Sequence, residues 1–545
     1  MQSWQLFVNQ FRPTAPMSNL FPIRVKRGGY RLLFLILPLT VTAYAREATV
    51  PEKHNVGFEV IWKYDYARSF ANDKYGESKR PIVAFVWYPA VETSKAPLKY
   101  ASYFEKMLAP PERDSLLSQF SEALKEYSLN SFKDYSIGWH FEDWNADAEN
   151  AFAQLLKTPF RAVENAPPVP SENFPVILYH PGLGGNVMEN AALCEHLAAR
   201  GYIVISSSFH AQQSWADYFF CGTIANSLED VDFLINAVAP AIPNADVTRI
   251  GLMGHSFGAQ AGYAYLAREN NVIDAFVSLD NSFDYKTMEE IESPFYRSTS
   301  WGEVNEALTN GYENCRATVL NISGTLDDGS IPDYELVKRL FKTDIYLGTF
   351  SFPMLHESFL SEAALAYPLV YRHYRDSAEV AALHRDANAY EVLAGAVTAF
   401  FDHSLKGEEL ERTQGNGEMN ITYQPPLSFP SKDSILHLYS TYGLDTIKTL
   451  YQQFQKISPR ARMNLSPVLA RMTENKETNS KIAFLRFLLD FHPKDWRLLK
   501  QVSDGYLDLN AKKEARIYYE LALDYCDDFE VRSEIKEKLR LVEGR

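Results

Sequence analysis

Residues 249–258 read Arg-Ile-Gly-Leu-Met-Gly-His-Ser-Phe-Gly, the most informative segment of the chain. A short apolar run of strand type leads directly into a Gly-x-Ser-x-Gly motif at residues 254–258, and helix-forming residues follow it. In a strand-to-helix turn of this kind the chain is so tight that larger side chains would clash, and the serine hydroxyl projects clear of the sheet. We therefore predict that Ser256 is a nucleophile rather than a structural turn serine.

Strand-like and helix-like segments alternate on both sides of this motif. Such alternation is typical of an α/β fold, a mostly parallel sheet with helices on both faces. Two early apolar runs, Val56–Trp62 and Pro81–Tyr88, predict paired strands at the start of the sheet. The later predicted strands are Val176–Tyr179, Tyr202–Ser206, Ile250–Met253, Ala275–Leu279, Ala317–Ile322 and Asp344–Leu347, and a predicted helix from Glu391 to His403 closes the region.

A serine hydroxyl is a weak nucleophile at neutral pH, so it needs a histidine base and a carboxylate that orients the base. In this arrangement the acid and then the histidine follow the serine along the chain. His356 lies in a predicted loop after the last strand, whereas His373, His384 and His403 lie in helical stretches. The order and the loop placement favour His356 as the base.

Two aspartates are candidates for the orienting acid. Asp280 directly ends an apolar strand, where an unpaired carboxylate would be partly desolvated and therefore costly. Asp327 follows the next strand but lies in a Gly-Thr-Leu-Asp-Asp-Gly turn, where aspartates often bond the backbone instead. These arguments favour Asp280 and leave Asp327 as the alternative.

An oxyanion that develops during acyl transfer needs two backbone N–H donors. We predict that Phe257, directly after the serine, supplies one, and that Leu183 supplies the other. Leu183 lies in Gly-Leu-Gly-Gly at residues 182–185, named here the glycine loop, where glycines let the backbone approach a ligand closely. His180, just before this loop, is interpreted as shaping it, without a role in proton transfer.

Composition excludes several classes of protein. The chain has 545 residues, of which 46% are hydrophobic, which indicates a folded protein of two to four domains or one large domain with an appendage. Its net charge of −15 disfavours binding to nucleic acid. The cysteines, at positions 194, 221, 315 and 526, form no C-x-x-C pair and no zinc-type spacing with histidine. We expect no disulfide scaffold, no metal and no cofactor.

The first 45 residues have the pattern of a signal peptide. Basic residues precede the apolar run Leu32–Leu39, and Ala43-Tyr44-Ala45 follows it. This run is well short of the roughly 18 residues that a membrane-spanning helix needs. We therefore predict cleavage after Ala45, a secreted or periplasmic protein, and no stable transmembrane span after cleavage.

We divide the remaining chain into a catalytic domain (46–407), a linker (408–432) and a helical domain (433–545). The linker is polar and contains several glycines and prolines. With Leu499 at the fourth position of a tetratricopeptide-type repeat, four residues fall at the packing positions of the repeat: Tyr506, Ala515, Tyr519 and Ala522. This register predicts repeat-like packing, and a plain helical bundle is the alternative.

Residues 101–165 form a possible insertion in the catalytic domain. They have helical apolar spacing and many aromatic side chains. The pattern fits an ordinary covering helix and a lid over a pocket equally well.

Several segments together resemble the platelet-activating-factor acetylhydrolase branch of the α/β-hydrolases, over roughly residues 56–405. The segments are Trp87-Tyr88-Pro89-Ala90, the glycine loop, Leu197-Ala198-Ala199-Arg200-Gly201-Tyr202, the Gly-x-Ser-x-Gly motif, Ser278-Leu279-Asp280 and His356-Glu357-Ser358-Phe359. Dienelactone-hydrolase-like enzymes and bacterial polyester hydrolases are similar. The resemblance implies an α/β-hydrolase fold and implies that the acid is Asp280. The chain departs from the family pattern at His180-Pro181, where His-Gly is usual, and at Ala259, where a third glycine is common.

These observations predict a serine hydrolase that cleaves carboxylic esters through an acyl-enzyme. Its expected substrate is a small ester or a lipid, and the C-terminal helices are a possible docking surface for a protein partner. One alternative is a catalytically idle hydrolase scaffold used for adhesion or assembly, and another is a peptidase or acyltransferase with the same triad. The presence of the serine, the histidine and the glycine loop favours an enzyme over the idle scaffold.

Overall fold

The computed structural model describes thirteen stretches of the chain: 53–72, 76–108, 115–170, 172–209, 223–297, 299–326, 329–340, 342–374, 376–410, 418–426, 432–457, 463–526 and 528–543. The predicted signal peptide, Asp327 and Cys221 lie outside these ranges. A search of the described residues for a helix long and apolar enough to span a bilayer finds none.

The described strands form one ten-stranded sheet in the order β10-β9-β8-β7-β6-β4-β5-β2-β1-β3. Their bounds are β1 Asn55–Asn72, β2 Gly76–Ala90, β3 Val163–Glu164, β4 Phe174–His180, β5 Ile203–Ser207, β6 Ala245–His255, β7 Ala275–Leu279, β8 Thr318–Ser323, β9 Ile345–Phe350 and β10 Met419–Gln424. The strands from β4 to β9 are parallel to one another, and β2 is antiparallel to both β1 and β5. The predicted α/β fold is confirmed, including the paired strands at its start.

Helices cover both faces of the sheet, because successive side chains of a strand point to opposite faces. In β4, Ile177 and Tyr179 belong to one hydrophobic core, and Val176 and Leu178 belong to the other. The helices of this region are α1 Tyr100–Lys106, α2 Ser115–Ser136, α3 Ala146–Leu155, α4 Ala191–Ala199, α5 Ile224–Phe233, α6 Phe257–Leu266, α7 Met288–Ile291, α8 Pro294–Arg297, α9 Ser300–Gly311, α10 Ser361–Val370 and α11 Ser377–Lys406. Helix α11 includes the predicted helix Glu391–His403 and begins fourteen residues earlier, at Ser377.

Part of the stretch 408–432 is a strand, and there the prediction of a linker is wrong. Strand β10 pairs antiparallel with β9, with Met419 opposite Phe350. Met419 is buried, whereas most of the strand's other residues are exposed. An edge strand with one buried side chain has the polar composition of a linker, because most of its side chains face solvent while its backbone pairs with the sheet.

The chain after β10 is helical in its described parts. The helices are α12 Lys432–Tyr442, α13 Leu444–Ile457, α14 Ser466–Glu474, α15 Thr478–Leu489, α16 Trp496–Asp508, α17 Lys512–Tyr525 and α18 Phe529–Glu543. Helices α16 and α17 pack against each other, and Leu499, Ala515, Tyr519 and Ala522 are buried with Tyr506 beside them. Tyr312, which follows α9, packs against the core of α12 to α15. The assignment to the tetratricopeptide type stays a prediction.

Candidate active site

Ser256 lies between the end of β6 and the start of α6. Its backbone has φ 51° and ψ −114°, a conformation that non-glycine residues rarely adopt and that costs about 1–3 kcal/mol. The surrounding structure holds it there. The Ser256 N–H donates to the Leu279 carbonyl (3.0 Å), and the Ser256 carbonyl accepts from the Gln260 N–H (3.1 Å). The serine side chain is thereby presented at the end of the sheet.

The glycines on either side of Ser256 are required by close backbone packing. A Cβ atom on Gly254 would lie 2.3 Å from the Gly258 carbonyl carbon, and one on Gly258 would lie 2.1 Å from the His180 carbonyl oxygen. Neither position has room for a side chain, because the obstacles are backbone atoms. The turn at residues 254–258, named here the nucleophile turn, is therefore packed directly onto the end of β4.

The structure brings His356 and Asp280 together. Asp280 directly follows β7, and His356 begins a 3₁₀ turn that ends at Phe359. The His356 Nδ1 atom lies 2.5 Å from Asp280 Oδ2. When Nδ1–H donates to this carboxylate, Nε2 carries the free lone pair and can act as a base.

The pKa of His356 reflects this pair. Burial lowers it, but the hydrogen bond to Asp280 and the negative charge of Asp280 outweigh burial and raise it to about 9. The Asp280 carboxylate therefore stabilises the imidazolium that would form after proton transfer.

Tyr285 is a second partner of Asp280 that the sequence analysis did not find. Its hydroxyl donates to Asp280 Oδ1 (2.5 Å) and accepts from the Gly324 N–H (3.0 Å). Both carboxylate oxygens of Asp280 thus have a donor, which fixes the plane of the carboxylate toward His356. No motif marks Tyr285 in the sequence; the one available signal is its position five residues after Asp280.

Ser256 directly follows His255, which packs against His356. The imidazole rings of the two histidines have centroids 4.5 Å apart. Among the described residues, the Ser256 hydroxyl makes no hydrogen bond to His356. Catalytic hydrogen bonds are often long without substrate and tighten when it binds.

The glycine loop passes beside the serine. A Cβ atom on Gly182 would lie 3.5 Å from Ser256 Cβ and 2.8 Å from His255 Nδ1. Within the described part of the chain, the N–H groups of Leu183 and Phe257 have no acceptor, and Phe257 opens a helix, where N–H groups are unpaired by geometry. Phe257 therefore directly follows the serine and Leu183 directly follows Gly182, and the N–H groups of both are available.

His180 is buried at the start of this loop. Its ring stacks on Phe209, with centroids 3.8 Å apart, and its Nδ1 atom lies 2.8 Å from the Pro181 carbonyl oxygen. Burial lowers the pKa of His180 to about 4, so the ring is neutral at neutral pH. These contacts agree with the interpretation that His180 shapes the loop.

The insertion at residues 101–165 reaches the glycine loop through α2. The Ser131 hydroxyl donates to the Gly184 carbonyl (2.7 Å), and the Tyr135 hydroxyl oxygen lies 3.0 Å from where a Gly184 Cβ would stand. Most aromatic rings of the insertion instead pack into the core: Tyr103, Phe104, Phe120, Phe132, Phe152 and Phe160 are all buried. The insertion therefore contributes to the core and borders the loop, and a lid function stays a prediction.

The described ranges contain no cluster of three or more His, Cys, Asp or Glu side chains that could hold a metal ion. Cys194, Cys315 and Cys526 are buried free thiols.

Four features define an α/β-hydrolase, here with a C-terminal all-α region. They are the sheet order, the strained serine at the nucleophile turn, the aspartate after the following strand and the histidine after β9. Residues 149–236 match the family model of platelet-activating factor acetylhydrolase, isoform II. The matched residues include the glycine loop and end before the nucleophile turn. Together, the fold and this match support a hydrolase of the esterase type.

Solved structures also include similar chains. A ferulic acid esterase from Streptomyces cinnamoneus is 19% identical, with 68% of this chain and 96% of that chain covered and a TM-score of 0.42. No curated protein sequence matches the chain significantly.

Proposed function

We propose that this protein is a carboxylic ester hydrolase that works through an acyl-enzyme, with Ser256 as nucleophile, His356 as base and Asp280 as the orienting acid. The observation that carries the proposal is the hydrogen bond between His356 Nδ1 and Asp280 Oδ2 beside the nucleophile turn. It leaves His356 Nε2 as the one ring nitrogen that can take the serine proton.

The proposed reaction has two halves. His356 Nε2 removes the proton from the Ser256 hydroxyl while the serine oxygen attacks the ester carbonyl, and the carbonyl electrons move onto its oxygen. The N–H groups of Leu183 and Phe257 stabilise this oxyanion. Its collapse expels the alcohol, which takes the proton from His356, and water then repeats the sequence to release the acid and free Ser256.

The substrate and the cellular location are part of the same proposal. A small ester or a lipid is the proposed substrate, and a secreted or periplasmic location is supported by the signal-peptide pattern at residues 1–45. The C-terminal helices remain a proposed docking surface for a protein partner.

Covalent labelling with a fluorophosphonate tests the nucleophile, and p-nitrophenyl esters of increasing acyl length test the activity. We expect labelling at Ser256 in the wild type, and loss of both labelling and nearly all hydrolysis in a folded Ser256→Ala variant. Ser282→Ala is a matched control, because Ser282 is a neighbouring serine that accepts a hydrogen bond from Gln260 rather than standing at the turn. Labelling at another serine would overturn the assignment. A folded wild type that neither labels nor hydrolyses any ester would favour the idle scaffold.

A further inference from the structure

Glu189 is a buried carboxyl group beneath the glycine loop, and the proposed reaction does not use it. Its residue is 1% exposed. Its Oε1 atom accepts hydrogen bonds from the Tyr179 hydroxyl (2.6 Å) and from the Gly182 N–H (3.0 Å). A buried carboxyl is costly unless its hydrogen bonds are made, so these two donors fix the position of the group.

The loop is built around this carboxyl group. A Cβ atom on Gly185 would lie 1.9 Å from Glu189 Oε2, so a larger residue at that position would displace the carboxyl. The backbone of Glu189 is held as well, since its carbonyl accepts from the Ser361 hydroxyl (3.0 Å) and the Glu362 N–H (3.1 Å). The carboxyl is therefore anchored to β4 through Tyr179, and the Glu189 backbone is anchored to the start of α10.

Two hydrogen bonds hold Gly182, one on each of the two peptides that meet at its Cα. The Gly182 N–H donates to Glu189, and the Gly182 carbonyl accepts from the Gly185 N–H (3.1 Å). The Gly182 carbonyl and the Leu183 N–H belong to one planar trans peptide and point in opposite directions. Fixing Gly182 on both sides therefore fixes where the Leu183 N–H points.

The same carboxyl also lies beside the nucleophile turn. Glu189 Oε1 is 3.7 Å from His255 Nδ1, and His255 Nε2–H donates to the His356 carbonyl (3.2 Å). Burial raises the pKa of Glu189 to about 7, yet the carboxyl can accept from the Gly182 N–H in either protonation state.

We propose that Glu189 is a positioning residue for the oxyanion hole, which aims the Leu183 N–H at the space beside Ser256 by holding the Gly182 N–H. The inference rests on the proposed esterase function. It assigns to Glu189 a role in transition-state stabilisation, because an oxyanion donor matters most when the negative charge has formed.

Glu195 offers a matched control on α4. It is also buried, and its Oε1 accepts from a tyrosine hydroxyl, Tyr103 (2.6 Å), and from a backbone N–H, Ala162 (2.8 Å). Its partners lie in the insertion and the segment that follows α3 rather than in the glycine loop. Loss of Glu195 therefore reproduces the cost of removing a buried, bonded carboxyl without altering the loop.

The test compares Glu189→Ala, Glu189→Gln and Glu195→Ala in the full chain. Three quantities are measured. The first is kcat, per active site counted by fluorophosphonate labelling, together with KM. The others are the affinity for a trifluoromethyl ketone, which forms an oxyanion on the serine, and Tm. We expect Glu189→Ala to lower kcat by about 10²-fold, with KM nearly unchanged and ketone binding weakened by a similar factor, as for a lost oxyanion donor. Glu189→Gln keeps a carbonyl acceptor and should restore most of kcat. Glu195→Ala should lower Tm and leave kcat and ketone binding intact.

Two outcomes would overturn the inference while the proposed function stands: a Glu189→Ala variant with wild-type kcat and ketone affinity, or equal losses in Glu189→Ala and Glu195→Ala. If Glu189→Ala does not fold, Tyr179→Phe is the substitute, because it removes the other donor to Glu189 Oε1. We expect this variant to show a several-fold fall in kcat with unchanged KM. Wild-type kcat in a folded Tyr179→Phe variant would equally overturn the inference. A wild type that neither labels nor hydrolyses esters fails the proposed function itself.

Discussion

Asp280 has a hydrogen-bond donor on each carboxylate oxygen, His356 on one and Tyr285 on the other. Its backbone N–H donates to the Ile322 carbonyl (2.8 Å), so the residue is fixed to β8 as well. These contacts support the proposal that Asp280 orients the base. Asp327 lies outside the described residues, so the choice between the two aspartates is made by experiment.

Replacing each aspartate by asparagine compares the two candidates. We expect Asp280→Asn to lower turnover by about 10⁴-fold with the fold intact, because the amide favours the wrong imidazole tautomer. Asp327→Asn should retain near-normal turnover. Steady-state kinetics on both variants, with circular dichroism as the check on folding, make the comparison, and the opposite pattern would transfer the role to Asp327.

The pH dependence of kcat/KM follows from the pKa of His356. The proposed base must be neutral, and the Asp280 hydrogen bond and charge raise its pKa from 6.5 to about 9. We therefore expect kcat/KM to rise with pH across the neutral range, to reach half its maximum near pH 9 and to level off above it. In Asp280→Asn the pH of half-maximal kcat/KM should be lower, since the negative partner of His356 is gone. A half-maximal value near pH 6.5 in both proteins would contradict the assigned pair.

The sequence was sufficient to predict Ser256, His356 and the favoured Asp280 as candidates, because their positions follow from chain order in one kind of fold. It could not predict Tyr285 or Glu189 as candidates, since their contacts exist only in the folded chain. Glu189 precedes α4 as one acidic residue among many, and nothing in the local pattern shows that the loop four to seven residues earlier closes over its carboxyl.

Strand β6, the nucleophile turn and α6 form one unit that is packed onto the end of β4. Gly258 is the tightest point of this packing, with the His180 carbonyl oxygen where a side chain would begin. Because backbone atoms cannot move aside as side chains do, the unit has no room for a residue larger than glycine at position 258.

We expect Gly258→Ala to lower the free energy of unfolding by about 1–3 kcal/mol or more, as overpacking does, and to lose activity with it. Gly395→Ala is the matched control: Gly395 is exposed in α11, and a Cβ there would meet nothing within 4 Å. That variant should be more stable than the wild type by about 0.5–1 kcal/mol, because alanine suits a helix interior better. Urea unfolding of both proteins measures the difference, and a Gly258→Ala variant as stable as Gly395→Ala would contradict the packing argument.

Alternation of strand and helix patterns was sufficient to predict the sheet, because buried parallel strands are long apolar runs between amphipathic helices. Strand β10 was not predictable in this way. It is an edge strand with a polar sequence, so its pairing with β9 depends on the edge that the rest of the sheet provides.

Every proposed catalytic residue in the molecule lies upstream of α12, and the helices that follow have cores of their own. Tyr312 is one contact between the hydrolase part and these helices. The C-terminal helices are therefore expected to be dispensable for the chemistry itself.

A chain that ends at Pro430 should keep hydrolysis of small soluble esters at a rate close to that of the full chain. It retains β10 and all proposed catalytic residues, and it loses the packing on Tyr312. Kinetics with a short p-nitrophenyl ester, together with gel filtration, provide the measurement. A soluble, folded and inactive chain would show that the helices complete the active site.

The pairing of β10 with β9 also determines what happens when the chain is cut short. A chain that ends at Gly407, where α11 stops, would leave β9 as the outermost strand, with a row of unpaired amide and carbonyl groups beside buried Ile345 and Leu347. Such an edge is a template on which strands of other molecules can pair. Strand β10 therefore protects the protein from self-association. Its six residues cover the edge of β9, along which two molecules could otherwise pair.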